Sequence, residues 1–323
     1  MLTPQLSVII PTYNRKEILL KTLKSYIEQT AQAEILEILV IDDRSTDGTA
    51  AAVEEFSASS PVAIRCLINP NKGLSFARNL GIREAKGDLI LFGDDDIIPA
   101  PTLVAEHTEW NRRYPDDNCA VLGQVDWSPE VKATPFLAWL GRDGVLFGFG
   151  RLSPGEEVSL QYCYFCNTSV KREFLLREGM FDENIRAYGY EDIELGYRLI
   201  RKGFRLFYNP KAVGFHLKRF SYAAACRRQE SLCAAMVLFE KTEAGRSLRD
   251  QAFRAKPPSF KRSLMLATAK AITPFLVPLT ALFDTHVRLP RRVYSLIYFF
   301  HVAPKAQAKF ERSRERQLAA KAG

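Results

Sequence analysis

The 323-residue sequence has no clean apolar span of membrane-crossing length. Its tail segment LMLATAKAITPFLVPLTALF (264–283) is broken by one lysine and two prolines, and VYSLIYFFHVAP (293–304) is only 12 residues long. The first makes a poor spanning helix and the second is too short to span. The N-terminal MLTPQLSVII lacks a basic region and its apolar run is five residues, so no secretory signal is expected and the active site is expected in the cytoplasm. No repeat of 20–50 residues is visible, which excludes a solenoid. Among six cysteines (66, 119, 163, 166, 226 and 233), only CYFC at Cys163–Cys166 has zinc or redox spacing, and no second pair or nearby histidine completes a site. Buried reduced thiols are the expectation.

A net positive balance is missing from most of the chain. The net charge is +8, but residues 256–323 carry 13 Lys/Arg against 3 Asp/Glu, leaving residues 1–255 at −2. A nucleic-acid enzyme concentrates basic residues around its site, so no nucleic-acid partner is expected.

What is present is alternation. LSVII (6–10) is a buried-strand pattern, and RKEILLKTLKSYIEQT (15–30) places Ile18, Leu19, Leu23, Tyr26 and Ile27 on one helical face. A strand at 37–43, a helix opened by Ser45, Thr46 and Asp47, a strand at 62–68, a helix closed by Gly87 and a strand at 88–92 follow. This βα alternation predicts an α/β fold with a parallel sheet covered by helices. Ligands in such sheets bind beyond the carboxyl ends of the strands. PTYN, DDRSTD and GDDD all fall there.

Further on, the pattern predicts a helix from Pro101 to about Tyr114 and a strand at 119–125. An irregular, mobile segment is expected at 126–160, then a strand at 161–170 and a helix at 191–203. A strand ending before Pro210 and a helical stretch at 221–241 complete the reading.

The run Asp94-Asp95-Asp96 at the end of a buried strand needs an explanation. Two carboxylates about 4 Å apart repel by about 1 kcal/mol in water and about 4 kcal/mol at an effective dielectric of about 20. Either water screens the turn or a cation binds there.

With these pieces in order, the chain resembles the family-2 glycosyltransferases. The matching segments are SVIIPTYNR (7–15), VIDDRSTDGT (40–49), NKGLSFARNLGI (71–82), GDLILFGDDDIIP (87–99), NTSVKREFLLREGMFDE (167–183) and YGYEDIELGYRLIRKGFRL (188–206). The resemblance covers about residues 5–215. It implies a GT-A fold, with a Rossmann-like, mostly parallel central sheet flanked by helices. It implies a catalytic domain over 1–220, with a nucleotide-binding half at about 1–100 and an acceptor half at about 101–220, and a helical basic and apolar extension over 221–323. The activity implied is inverting transfer of a sugar, from a nucleotide-diphosphate donor with UDP favoured, to a hydroxyl of a glycan or lipid-linked glycan.

By resemblance, Asp96 is a direct ligand of Mg²⁺ or Mn²⁺, with Asp94 at the ribose or the metal and His216 near the metal or diphosphate. Hard carboxylate oxygens suit such ions. Pro11, Thr12, Tyr13, Asp42, Asp43, Lys72, Arg78, Asp94 and Asp95 are implied on the donor side. Arg78 could equally pair with the aspartates, and Ser45 and Asp47 could serve only as helix caps. Asp192 resembles the general base, with Glu191 orienting the acceptor; Trp127, Trp139 and Asn167 are further acceptor candidates. Gly93 stands where the family often has a bulkier residue, which reads as closer backbone approach for the donor.

The tail admits two readings. A basic, aromatic segment over 260–310 suits peripheral contact with an anionic membrane surface, which is favoured. A helix pair packed on the catalytic core, or a contact in a homo-oligomer, is the alternative. Other functions weighed are a polyprenyl-phosphate sugar synthase, a nucleotidyltransferase (against which PTYNRKE lacks the expected glycines) and a non-catalytic nucleotide-sugar binding protein.

Overall fold

The computed structural model describes residues 5–144, 146–185, 189–218, 220–254, 260–302 and 312. These group into two compact units. The first comprises Met1–Val131, Phe149–Arg186 and Glu191–Lys218; the second comprises Lys132–Gly148, Ala187–Tyr190 and Arg219–Gly323.

The first unit is an α/β sheet of order β3-β2-β1-β4-β7-β6-β8-β5. Strands β1 (Leu6–Thr12), β2 (Ile35–Asp42), β3 (Ala63–Ile68) and β4 (Leu89–Gly93) run parallel. Their crossovers are α1 (Lys16–Ile27), α2 (Thr49–Ser57) and α3 (Leu74–Glu84). The apolar face read from α1 is the face it buries: Leu19, Leu23 and Tyr26 pack on Val8, Ile10 and Leu91. In register, Thr12 pairs with Asp42, so two of the polar clusters end on one line.

The second half of the sheet departs from simple alternation. A three-residue strand, β5 (Ile97–Pro99), follows the aspartate turn and pairs antiparallel with β8 (Arg205–His216). Helix α4 (Leu103–Arg113) leads to β6 (Cys119–Trp127). Strand β7 (Asn167–Lys171) runs antiparallel between β4 and β6, and α6 (Arg172–Glu178) and α7 (Glu191–Ile200) precede β8.

Three expectations change here. The strand expected at 161–170 begins only at Asn167, because a helical turn at Leu160–Tyr162 precedes it. The strand expected to stop before Pro210 continues to His216. Its register against β6 jumps between Asn209 and Val213, so Pro210 sits in a bulge where no ladder N–H is required. The segment expected to be irregular contains α5 (Pro135–Arg142), with Thr134 as N-cap and Pro135 in the first turn. Apolar residues within 135–142 drive that helix: Phe136, Leu137, Trp139 and Leu140 are all buried.

In the second unit, α5 accompanies α8 (Tyr222–Phe239), α9 (Glu243–Arg254), α10 (Phe260–Leu276) and α11 (Arg291–Ile297). Its core is aromatic: the Phe136 and Phe283 rings stack with centroids 4.8 Å apart, and Trp139 and Tyr294 lie 5.8 Å apart. Trp139, an acceptor candidate from the sequence, is buried in this cluster. Among the described residues, no helix is long and apolar enough to cross a membrane.

Candidate functional site

The three aspartates form the turn between β4 and β5, and their side chains divide between two arginines. Asp95 points inward: its carboxylate accepts from Thr12 Oγ1 at 2.8 Å and from Arg15 Nη1 at 2.7 Å. Thr22 Oγ1 donates to the Asp95 carbonyl at 2.7 Å. The same Arg15 Nη1 lies 2.7 Å from Asp96 Oδ2. Both carboxylates are 5% exposed. Asp94 is more open and faces Arg78, whose Nη2 is 3.6 Å from its Oδ1. The like-charge problem is therefore met by guanidinium groups, Arg15 on one side and Arg78 on the other.

The electrostatic cost is still visible. Burial, with Asp96, Asp95 and Asp192 adding to it against Arg78, pushes the Asp94 carboxyl up to about 7. Burial also raises Asp95, with Arg15 opposing.

Gly93 is explained by packing. A Cβ there would stand 2.7 Å from the Tyr26 hydroxyl, so a buried α1 side chain occupies the space, in place of the donor approach expected from sequence.

Arg78 is 2% exposed and central. Its Nη1 donates to Asp192 Oδ1 at 2.6 Å and is 3.8 Å from Glu191 Oε1. Burial works against its charge, but Asp192, Asp94 and Glu191 outweigh it and raise its pKa. The Phe181 ring lies 5.2 Å from the guanidinium carbon. Asp192 Oδ2 also accepts the Phe165 N–H at 3.2 Å, which orients the carboxylate. Of the two sequence readings of Arg78, the structure shows the pairing with acidic groups. Cys166 is drawn into the same cluster: burial, then Asp94 and Asp192, hold its thiol protonated.

His216 comes to the turn through the β8 bulge and the β5 pairing. Its register partner is Ile97, and Leu217 N–H donates to the Asp96 carbonyl at 2.8 Å. Nε2 is 3.7 Å from Asp96 Oδ1, and Nδ1 accepts the Lys218 N–H at 3.1 Å. Trp127, buried, packs edge-on against His216 at 5.5 Å; it supports the histidine and does not present an open stacking face.

On the other flank, Tyr13 is exposed, with Lys72 Nζ 4.5 Å over its ring and donating to its hydroxyl at 3.3 Å. Asp42 accepts the Ser45 N–H at 2.9 Å. Asp43 accepts from Gly73 N at 3.0 Å and Asn69 Nδ2 at 2.7 Å, tying down the loop that carries Lys72. Asn14 and Arg44 hold positive φ here (51° and 68°), a sparsely populated conformation that loop-ordering bonds must support. Asn14 Oδ1 accepts the Thr46 N–H at 2.7 Å, and Pro11 lies half-buried within β1.

Asn167 is the candidate that the fold removes from the cleft. Its Nδ2 donates to the Gln124 and Ala212 carbonyls at 2.9 and 2.8 Å, filling the β8 bulge, and its Oδ1 meets His107 Nε2 at 2.9 Å. A Cβ on Gly123 would lie 2.3 Å from this amide. The residues that sequence reasoning missed are Arg15, Thr22 and Tyr26. The signal for Arg15 was available: three adjacent carboxylates require a cation, and Arg15 closes PTYNR.

Among the described residues, no group of three or more His, Cys, Asp or Glu converges as a ready-made metal centre. The donor set nevertheless fits a hard divalent ion that takes one or two carboxylates and completes its shell with phosphate and water. Asp96 and Asp94 are such carboxylates. His216 Nε2 would join them only on release of the Lys218 bond, because an Nδ1 that accepts leaves Nε2 as the protonated nitrogen of the neutral ring.

The sequence profile of Glycosyl transferase family 2 matches residues 7–175, more than half of the chain. The chain belongs to this family. The uncharacterized glycosyltransferase YfnE of Bacillus subtilis (strain 168) is 31% identical over 246 residues, 62% of either protein. Chondroitin synthase of Escherichia coli is 30% identical over 228 residues, which are 61% of this chain and 32% of the synthase. The chain thus matches under two thirds of the length of these relatives. Among solved structures, mannosyltransferase PcManGT of Pyrobaculum calidifontis, in complex with GDP-Man and Mn²⁺, superposes with a TM-score of 0.59 at 21% identity, covering 95% of this chain and 87% of that one. S. aureus TarS 1–349 with UDP-GlcNAc gives 0.56 at 16% identity, covering 98% and 92%. The fold is GT-A.

Proposed function

We propose that the protein transfers a sugar from a nucleotide-diphosphate sugar, with a UDP-sugar favoured, to a hydroxyl of a glycan or lipid-linked glycan in one inverting displacement. The observation that carries this reading is the single guanidinium of Arg78 between Asp94 and Asp192. It ties a donor-side carboxylate and a candidate base to one buried cation, an arrangement that suits a single displacement without a covalent enzyme intermediate.

Each residue then has a task. Tyr13 offers a flat face to the nucleobase, and Asp42 and Asp43 order the loops around it. Lys72 supplies positive charge at the rim. Asp96 and Asp94, with His216, would hold Mg²⁺ or Mn²⁺, which when bound supplies charge neutralisation for the leaving diphosphate. Asp192 takes the acceptor proton as the hydroxyl attacks; its hydrogen bonds to Arg78 and Phe165 keep it aimed. Glu191 is buried beside it and shapes the acceptor side. Names of similar proteins support the substrate class: TarS was solved with UDP-GlcNAc, and chondroitin synthase is a polysaccharide synthase by name.

The second unit supports peripheral membrane attachment on the cytoplasmic face. Leu264, Ala271, Ile272 and Phe275 share one exposed face of α10, with Phe275 82% exposed. Arg288, Arg291 and Arg292 are exposed. An apolar stripe accompanied by arginines fits an anionic lipid interface. Residues 303–310 of the predicted contact lie outside the described residues.

A thermal-shift screen of UDP, GDP, dTDP and CMP, with Mn²⁺ and with EDTA, tests the donor reading. One diphosphate should stabilise the protein only with metal, and Asp96→Ala should lose the effect. No response to any nucleotide sinks the reading.

A further inference from the structure

We propose that Arg15 is a resident counter-cation of the aspartate turn that competes with the divalent ion for Asp96, and so sets the metal affinity of the site. The inference rests on the metal-dependent donor reading above.

The argument starts from burial. Asp95 and Asp96 are adjacent, almost fully buried carboxylates, and charges of one sign in that setting need a partner. Among the described residues, Arg15 is the lysine or arginine within ion-pair distance of either, at 2.7 Å from Asp95 Oδ1 and 2.7 Å from Asp96 Oδ2. One nitrogen, Nη1, makes both contacts. His216 is near Asp96 but carries charge only when protonated.

The two carboxylates are not equivalent. Asp95 has further anchors in the Thr12 hydroxyl on its side chain and the Thr22 hydroxyl on its carbonyl. Asp96 has no such hydroxyl bond among the described residues, and Arg15 is its shortest contact. Asp95 therefore positions the guanidinium, and Asp96 is the carboxylate that Arg15 shares with any incoming cation.

The backbone of Arg15 is fixed, since its carbonyl accepts the Leu19 N–H at 3.0 Å at the start of α1. Its side chain is about one third exposed and can leave Asp96 without unfolding the helix. A guanidinium does not deprotonate at working pH. The competition is thus built in, and only an ion that brings more charge to Asp96 displaces it. Arg15 is a positioning residue in this scheme: it keeps the empty turn assembled and keeps weakly held ions out.

The test is Mn²⁺ binding to the full chain, read as loss of the free-ion electron paramagnetic resonance signal. The proteins are wild type, Arg15→Gln, Arg15→Lys and Lys16→Gln. Arg15→Gln should bind Mn²⁺ about tenfold more tightly, the effect of removing one charge-assisted hydrogen bond from the competing state. Its melting temperature without metal should fall. Arg15→Lys, which keeps the charge, should stay near wild type. Lys16→Gln removes a neighbouring charge that pairs with Glu17 and should leave the affinity unchanged. Equal or weaker Mn²⁺ binding by a folded Arg15→Gln protein overturns the proposal, as does a Lys16→Gln gain of the same size. If wild type still shows a Mn²⁺-dependent nucleotide shift in those cases, only the role of Arg15 falls. If neither metal nor nucleotide binds, the donor reading falls with it.

Discussion

Arg78 Nη1 stands 2.6 Å from Asp192 Oδ1, although 114 residues separate them in the chain. This pairing couples the third helix of the sheet to the first turn of α7. It leaves one buried cation responsible for Asp94, Glu191 and Asp192 together.

Removing that cation should be severe. Arg78→Met removes the buried guanidinium that pairs with Asp192, and breaking such a pair costs about 3–5 kcal/mol. Denaturant unfolding should show a loss of that order, with turnover abolished. Arg78→Lys should recover part of the stability. A midpoint for Arg78→Met equal to wild type would show that the acidic cluster does not need it.

Asp192→Asn tests the base separately from the fold. The amide keeps the shape and a hydrogen-bonding oxygen for Arg78 but cannot take a proton. Release of nucleoside diphosphate should fall by about 10²–10⁴-fold, while nucleotide affinity by calorimetry stays within about twofold. Preserved turnover removes Asp192 from the role.

The Gly93–Tyr26 approach predicts a paired effect. Gly93→Ala places a methyl on the Tyr26 hydroxyl and should cost about 1–3 kcal/mol by overpacking. Tyr26→Phe in the same chain removes the clashing oxygen, so the double variant should melt above Gly93→Ala alone. Additive losses would mean the strain lies elsewhere.

His107 should make the fold sensitive to mild acid. It is fully buried, bonded to Ser169 and Asn167, and burial holds it down to about 4. The unfolded chain takes up the proton near pH 6.5, whereas the folded one resists it until about pH 4. Stability is therefore present above about pH 6.5 and is lost as pH falls towards 4, by on the order of 3 kcal/mol. Urea unfolding from pH 7 to pH 4.5, compared with His107→Gln, measures this. An unchanged slope in the variant assigns the acid sensitivity to other groups.

The proposed membrane attachment rests on the exposed stripe of α10. Phe275→Glu should reduce co-sedimentation with vesicles containing anionic lipid several-fold, with nucleotide binding intact. Retention of binding on neutral vesicles, and on anionic ones after Arg288, Arg291 and Arg292 are replaced, would assign attachment to apolar insertion alone.

The sequence alone determined the first half of the sheet and the family. Strands β1 to β4 and the helices between them were legible because their apolar periods are local, and strand ends in a parallel sheet collect ligands. The family motifs marked Asp94, Asp95, Asp96 and Asp192 as the residues to explain. Only the tertiary structure decided which partners they take. Arg15 on Asp95 and Asp96, Arg78 on Asp192 and Tyr26 against Gly93 join positions 67–114 residues apart, beyond the reach of any periodic pattern. Asn167 reads from the sequence as an acceptor candidate within a strand at 161–170, yet the bulge in β8 leaves carbonyls that its amide must satisfy. Buried charge and buried amide are resolved by whichever complementary group the fold brings near, and that choice is set by packing across the whole sheet.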